Sequence, residues 1–255
     1  YGVCVSEREW VYVADFKNKR VVVLDENDNL VQIIANPQSE SLDDGFVFSP
    51  MKVTVDYADR VYVIAQNMFE GIMVFESNGQ FSNFFGTIEV SISLWEKFWR
   101  RFRTEEQQDL AETAVSTNYN NITLAGDFIY VTIKLDDGKV QSAIQSKDKS
   151  GTNAPVKMLN AAGSELMRRN GFYPPSGEVD FFGAINAMEG TFITGPSLVV
   201  DVAVGPEDTW SIIDQKRSKV FTYDFDGNLL FAFGDQGDLL GNIAENALRA
   251  IDYQG

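Results

Sequence analysis

The side chains able to do chemistry here are carboxylates, amides and a few cations. The chain of 255 residues holds 37 Asp and Glu against 21 Lys and Arg, with a single cysteine, Cys4, and no histidine. Without histidine there is no His-ligated zinc, no Ser-His-Asp triad and no Cys-His pair. What remains open is binding of a hard cation by carboxylates and amides, and polar recognition. Three sets of residues are candidates. "DENDN" (Asp25–Asn29) and "DFDGN" (Asp224–Asn228) look like the start of a calcium loop. Asp15 with Arg20, and Asp214 with Lys219, look like acid–base pairs. Gly2, Lys52, Asn120, Asn121 and Asp201 head short apolar runs and could ring one opening.

The elements that must position these residues form a repeat. "VYVADFKNKRVVVLDENDNLVQII" (Val11–Ile34) aligns without a gap on "WSIIDQKRSKVFTYDFDGNLLFAF" (Trp210–Phe233). Asp15 falls on Asp214, Arg20 on Lys219 and Asp25 on Asp224. A third copy, "VYVIAQNMFEGIMVFESNGQFSNFF", needs one extra residue. A fourth is split between "IYVTIK" and "PVKMLNAAGSELM". A further apolar run precedes each copy: "YGVCV", "MKVTV", "NNITL" and "DVAV". Each unit is thus four short strands, A to D, joined by turns with hairpin signals such as Asn78-Gly79.

Four-stranded units recurring about every 40 residues or more are the signature of an all-β fold, the β-propeller. The expected blades cover roughly 1–36, 50–86, 119–170 and 197–234, with a helical insertion at 88–118. They form a single propeller segment over 1–255. "ALRAIDYQG" reads as the first strand of a fifth blade, and the chain opens on Tyr1, so a segment incomplete at both ends is expected.

The repeat makes the candidate chemistry mostly structural. "DENDN" and "DFDGN" fall between strands C and D, where hairpin turns belong; a calcium loop would need a Glu where Asp235 stands. The pairs of Asp15 and Asp214 recur in register, so they read as supports for the B–C turns. Lys52, Asn120, Asn121 and Asp201 sit where strand A starts, at the end conventionally called the top. They are the candidate residues for a small polar ligand, and Lys52 argues against a metal there.

The residues also carry a resemblance. "YVAD", Asn18, Arg20 and "VLD" resemble the NHL repeat, most closely in the first and last blades. "GFVFSPMKVTVDYADRVYV", "LWEKFWRRFRTEEQ", "STNYNNITL", "GFYPPSGEV" and "DGNLLFAFG" resemble secreted Firmicute NHL-propeller proteins that carry a C-terminal Yip-type membrane domain. That resemblance implies a six-bladed parent, tethered to a membrane and placed outside the cytoplasm. In related lactonase-type propellers a Glu, an Asn and an Asp hold a metal.

Every long insertion follows strand B or D, and both strands end at the top. The first, 88–118, places Leu94, Trp95, Phe98, Trp99 and Phe102 at helical spacing beside Arg100 and Arg101. The helix over 94–103 is expected to pack its aromatics on the blades; Trp95, Trp99, Arg100 and Arg101 are its candidate partner or membrane contacts. The second, 134–154, is rich in Ser, Lys, Asp and Gly and reads as a flexible loop or an extended hairpin. The third, 171–197, mixes turn residues with Phe172, Tyr173, Phe181 and Phe182.

A net charge of −16 disfavours a nucleic-acid partner, and no run reaches the roughly 18–20 apolar residues of a membrane span. The reading that follows is a non-enzymatic recognition or scaffold propeller without a cofactor. Its partner would be a protein, peptide or glycan, and membrane contact would come only through a parent chain or the 94–103 helix. A metal-dependent lactonase- or lyase-like enzyme and a rigid spacer are the two alternatives.

Overall fold

A computed structural model describes residues 2–39, 42, 45–66, 68, 71–86, 118–148, 150–170, 196–237, 240, 242–244 and 247–253. The described residues form four antiparallel sheets, each with its strands in sequence order. The first sheet holds β1 (Val3–Val5), β2 (Val11–Asp15), β3 (Arg20–Leu24) and β4 (Leu30–Ile34). The second holds β5 (Pro50–Val55), β6 (Val61–Ala65), β7 (Ile72–Phe75) and β8 (Phe81–Phe85). The third has three strands, β9 (Asn118–Ala125), β10 (Phe128–Lys134) and β11 (Val156–Leu159). The fourth holds β12 (Val199–Val204), β13 (Trp210–Asp214), β14 (Lys219–Tyr223) and β15 (Leu229–Phe233). This is an all-β fold of propeller-type blades. No helix among the described residues is long and apolar enough to cross a membrane.

The C–D turn is the same device four times. The N–H groups of Asp28, Gly79, Gly163 and Gly227 donate to the carbonyls of Asp25, Glu76, Asn160 and Asp224. The residue at the corner takes a left-handed backbone, with φ of 63° at Asp28, 79° at Gly79, 80° at Gly163 and 81° at Gly227. The ladder slips by one residue beside three of these turns, at Val23/Leu24, Val74/Phe75 and Thr222/Tyr223. A type I turn closed by a left-handed residue and a bulge explains both facts. "DENDN" and "DFDGN" are therefore hairpin turns, as their place in the repeat predicts. Sheet one uses Asp28 where the others use glycine. Asp28→Gly removes a side chain from a strained corner, so it is expected to stabilise by about 0.5–1 kcal/mol in urea unfolding. A loss of stability instead would show that the Asp28 side chain supports the turn.

Two expectations need correction. The fourth strand of sheet three is reduced to one bridge, Leu159 with Glu165. The Met167 N–H donates to the Glu165 side chain at 3.1 Å, so it does not extend a ladder. The end segment is no strand over 247–253. It is held by side chains instead: Gln215 donates to the Leu248 carbonyl, and the Ile251 N–H donates to Asp201 at 2.7 Å. Tyr253 hydrogen-bonds Ser211.

The chain divides into two compact units. One is Tyr1–Val53 with Tyr57–Asn118; the other is Thr54–Asp56 with Tyr119–Gly255. In the first, Phe75 is fully buried and meets Phe48 and Phe81 edge to face at 5.6 and 5.7 Å. In the second, sheets three and four bury a shared apolar cluster. Tyr130, Val156 and Met158 meet Val202, Ile212 and Phe221 there, and Trp210 stacks on Tyr223 at 4.3 Å. Face-to-face packing of this kind is what alternating apolar strands require.

Candidate functional site

The end of the second unit where β9 and β12 begin gathers the candidate polar residues. The β10–β11 and β13–β14 connections emerge at the same end, because antiparallel pairing brings Asp214 opposite Val199 and returns β10 to the start of β9. Asn120 donates to the Val199 carbonyl at 2.8 Å and accepts from the Thr132 hydroxyl. Asn121, buried, donates to Asp201 Oδ1. The same oxygen accepts the Val202 N–H at 2.9 Å, while Asp201 Oδ2 accepts the Ile251 N–H. Asp201 is 5% exposed, and each of its oxygens serves a different neighbour. These side chains join the first strand of sheet three to that of sheet four and hold the end segment. Lys52 lies in the other unit, half-buried on β5. A Cβ on Gly2 would lie 2.8 Å from the Lys52 Cα, so a side chain at Gly2 would collide with the β5 backbone.

The connection between β10 and β11 is a helix, α1 (Asp137–Ser146), not the flexible loop or hairpin expected. Asp136 caps it by accepting the Lys139 N–H at 3.1 Å, and Lys147 closes it in the left-handed region. Val140, Ala143 and Ile144 share one face and are buried. Lys139, Ser142, Gln145 and Ser146 are exposed. Lys216, in the β13–β14 turn, reaches Asp137 at 3.7 Å and donates to the Pro196 carbonyl at 3.4 Å. Trp95, Trp99, Arg100 and Arg101 lie outside the described residues, as do the aromatics of the third insertion.

The repeated Asp supports the B–C turn in both copies, with a difference. Asp15 accepts from Asn18 at 2.8 Å and from Arg20 at 3.0 Å. Asp214 is fully buried and takes the Arg217 guanidinium at 3.2 Å, at the position aligned with Asn18. Its Oδ1 also accepts the N–H groups of Leu198, Lys216 and Arg217. Hydrogen bonds hold three turn carboxyls below the usual carboxylate range: Asn18 then Arg20 at Asp15, Asn29 at Asp25, Asn228 at Asp224. The support they give is therefore present above the unfolded-state pKa and is lost as pH falls through the folded one.

Other groups carried no sequence signal. Arg169, buried, donates to Glu165 at 2.9 Å and to the Val156 carbonyl at 3.1 Å. Lys157 is buried close by, and desolvation lowers its pKa. Burial pushes the Tyr130 phenol up to about 12, and Tyr119 moves the same way, so neither serves as a base near neutral pH. Among the described residues no group of three or more Cys, Asp or Glu is placed to hold a metal ion. The polar groups at this end form inter-strand ties, and the outer face of α1 is exposed.

Neither a family model nor a curated protein matches the sequence. Solved structures similar to the chain include a streptogramin B lyase, at 12% identity and a TM-score of 0.46, over 90% of this chain and 52% of that one. A catalytically inactive virginiamycin B lyase from Staphylococcus aureus with quinupristin gives 10% identity and a TM-score of 0.48, over 91% and 54%. A structural-genomics protein of unknown function from Bacteroides thetaiotaomicron gives 13% and 0.45, over 91% and 42%. The chain spans about half the length of the solved structures it matches.

Proposed function

We propose that the chain is a non-enzymatic recognition propeller of the NHL type, holding a protein, peptide or glycan at the end where α1 stands. The observation that carries this reading is α1 itself. A connection that takes four residues in sheet four, Gln215 to Ser218, is here a capped helix seated on Val140, Ala143 and Ile144. Building such a helix fixes a polar surface of hydroxyls, amides and one lysine at a defined place. The commitment of Asn120, Asn121 and Asp201 to inter-strand bonds supports a binding role over a catalytic one. Placement outside the cytoplasm, on a membrane-tethered parent, belongs to the same proposal, and its support is the sequence resemblance.

The test is a glycan array and a displayed peptide library, probed with the wild type, a Ser142→Arg/Gln145→Arg variant and Asp28→Gly. Binding should survive Asp28→Gly in the C–D turn of sheet one and be lost in the helix variant. The reverse pattern overturns the reading, and binding to neither probe set favours a rigid spacer. Thermal melts with and without millimolar calcium supply a second readout. The midpoint should not move; a rise of more than about 3 °C would favour the metal-dependent lactonase or lyase alternative.

A further inference from the structure

Lys157 takes no part in the ties described above, and its surroundings are unusual for a lysine. It lies on β11 and is 8% exposed. Pairing sets it opposite Val131, and Leu159 follows two residues on along the same face. Both of these neighbours are buried. Val156 and Met158 take the other face and join the cluster shared with sheet four. Among the described residues the Lys157 amine has neither a hydrogen-bond nor an ion-pair partner. The carboxylate whose field reaches it, Glu165, is committed elsewhere. Glu165 accepts two bonds from Arg169, at 2.9 and 3.0 Å, and the Met167 N–H at 3.1 Å. The Gly151 backbone also packs against it, with no space for a Cβ between them. Arg169 in turn donates to the carbonyls of Met167 and Val156. A buried cation without a counter-ion is costly, so the amine is driven toward its neutral form. Desolvation lowers its pKa; Glu165 opposes this and Arg169 adds to it. A neutral lysine in apolar surroundings is a nucleophile.

We propose that Lys157 is a covalent binding site for short, uncharged aldehydes, which its buried and unpaired amine captures as an imine. The amine nitrogen adds to the carbonyl carbon. Both amine hydrogens then leave with the carbonyl oxygen as water, and a C=N bond replaces C=O. The step needs no oxidant, reductant or metal. Charge selects this class of ligand. Arg169 and Glu165 already cancel one another, and a neutral imine leaves that balance intact. A carbamate, the adduct of carbon dioxide, would set a second anion beside Glu165. Size selects it too, since Val131 and Leu159 enclose the side chain and leave little room for a ring.

Reductive labelling of the whole wild-type chain with glycolaldehyde and cyanoborohydride tests this, read lysine by lysine in peptide mass spectra. Lys139 and Lys147, both exposed, are the internal standards. An ordinary lysine loses about tenfold in free amine for each pH unit below its pKa. Labelling of Lys157 relative to these two should therefore rise at least about threefold between pH 9 and pH 7, because only the neutral amine attacks. Restricted access slows Lys157 equally at both pH values and cancels from that comparison. In concentrated urea the rise should vanish, since burial causes it. Benzaldehyde, uncharged but bulky, should label Lys139 and Lys147 and spare Lys157. A Lys157 that stays unlabelled, a ratio that does not move with pH, or a rise that persists in urea would each overturn the proposal. Equal labelling of all three lysines by benzaldehyde would overturn the selection for short aldehydes.

Discussion

Gly227→Ala is expected to destabilise the chain by about 2–4 kcal/mol, far more than one added methyl suggests. Two costs add. The backbone there has φ of 81°, where a Cβ alone costs roughly 1–2 kcal/mol. The new Cβ would also stand 2.2 Å from the Arg168 carbonyl oxygen, 2.9 Å from its carbon and 3.0 Å from the Arg169 Cα. All three are backbone atoms. They cannot swing aside, because Arg168 pairs with Asp226 and lies 5.1 Å over the Phe225 ring, while Arg169 is tied to Glu165. Gly126→Ala separates the two costs. Gly126 also has positive φ, at 57°, but nothing lies within 4 Å of its Cβ position. It should lose only about 1 kcal/mol in urea unfolding. Equal losses at Gly126 and Gly227 would show that the contact with Arg168 carries no weight.

The same turn shows which parts of this fold are legible in sequence. The gap-free alignment of Val11–Ile34 on Trp210–Phe233 holds to single backbone angles: Lys19 and Ser218, which it superimposes, have φ of 57° and 53°. Local chemistry wrote those turns, so a local reading finds them. The partner of Asp214 was harder to read. The alignment puts Arg217 on Asn18, and both side chains bond the repeated Asp, whereas the repeat in sequence points to the cation five residues on. Helix α1 was hidden by composition. Its stripe of Val140, Ala143 and Ile144 is short, and Gly138, Ser142 and Ser146 dilute it, although Asp136 before the run was a usable cap signal. The Asn121–Asp201 bond joins residues 80 apart in sequence. Only the stacking of one sheet on the next creates it, and no spacing rule announces it.

Asp214→Ala is the second large effect, and it links stability to the proposed recognition end. The side chain is fully buried and holds four bonds, three to backbone N–H groups and one to the Arg217 guanidinium, itself 5% exposed. Alanine removes the carboxylate from a buried cation and strips an acceptor from three backbone donors, one of them buried and two half-buried. Breaking such a pair from one side costs about 3–5 kcal/mol. Asp15→Ala at the aligned position of the exposed first turn should lose far less. Asp214→Asn keeps an acceptor for the backbone and should fall between. Adding Arg217→Met to Asp214→Asn should recover part of the loss, since the cation left without its carboxylate is then gone as well. The effect should also travel. The turn that Asp214 holds carries Lys216, which contacts Asp137 in the first turn of α1 and the carbonyl of Pro196. Amide exchange in α1 should therefore speed up in Asp214→Ala under conditions where sheet one stays protected. If α1 kept wild-type protection while the β13–β14 turn opened, the helix would be seated by Val140, Ala143 and Ile144 alone. The buried Asp would then be a support for one turn only, with no hold on the surface proposed to bind.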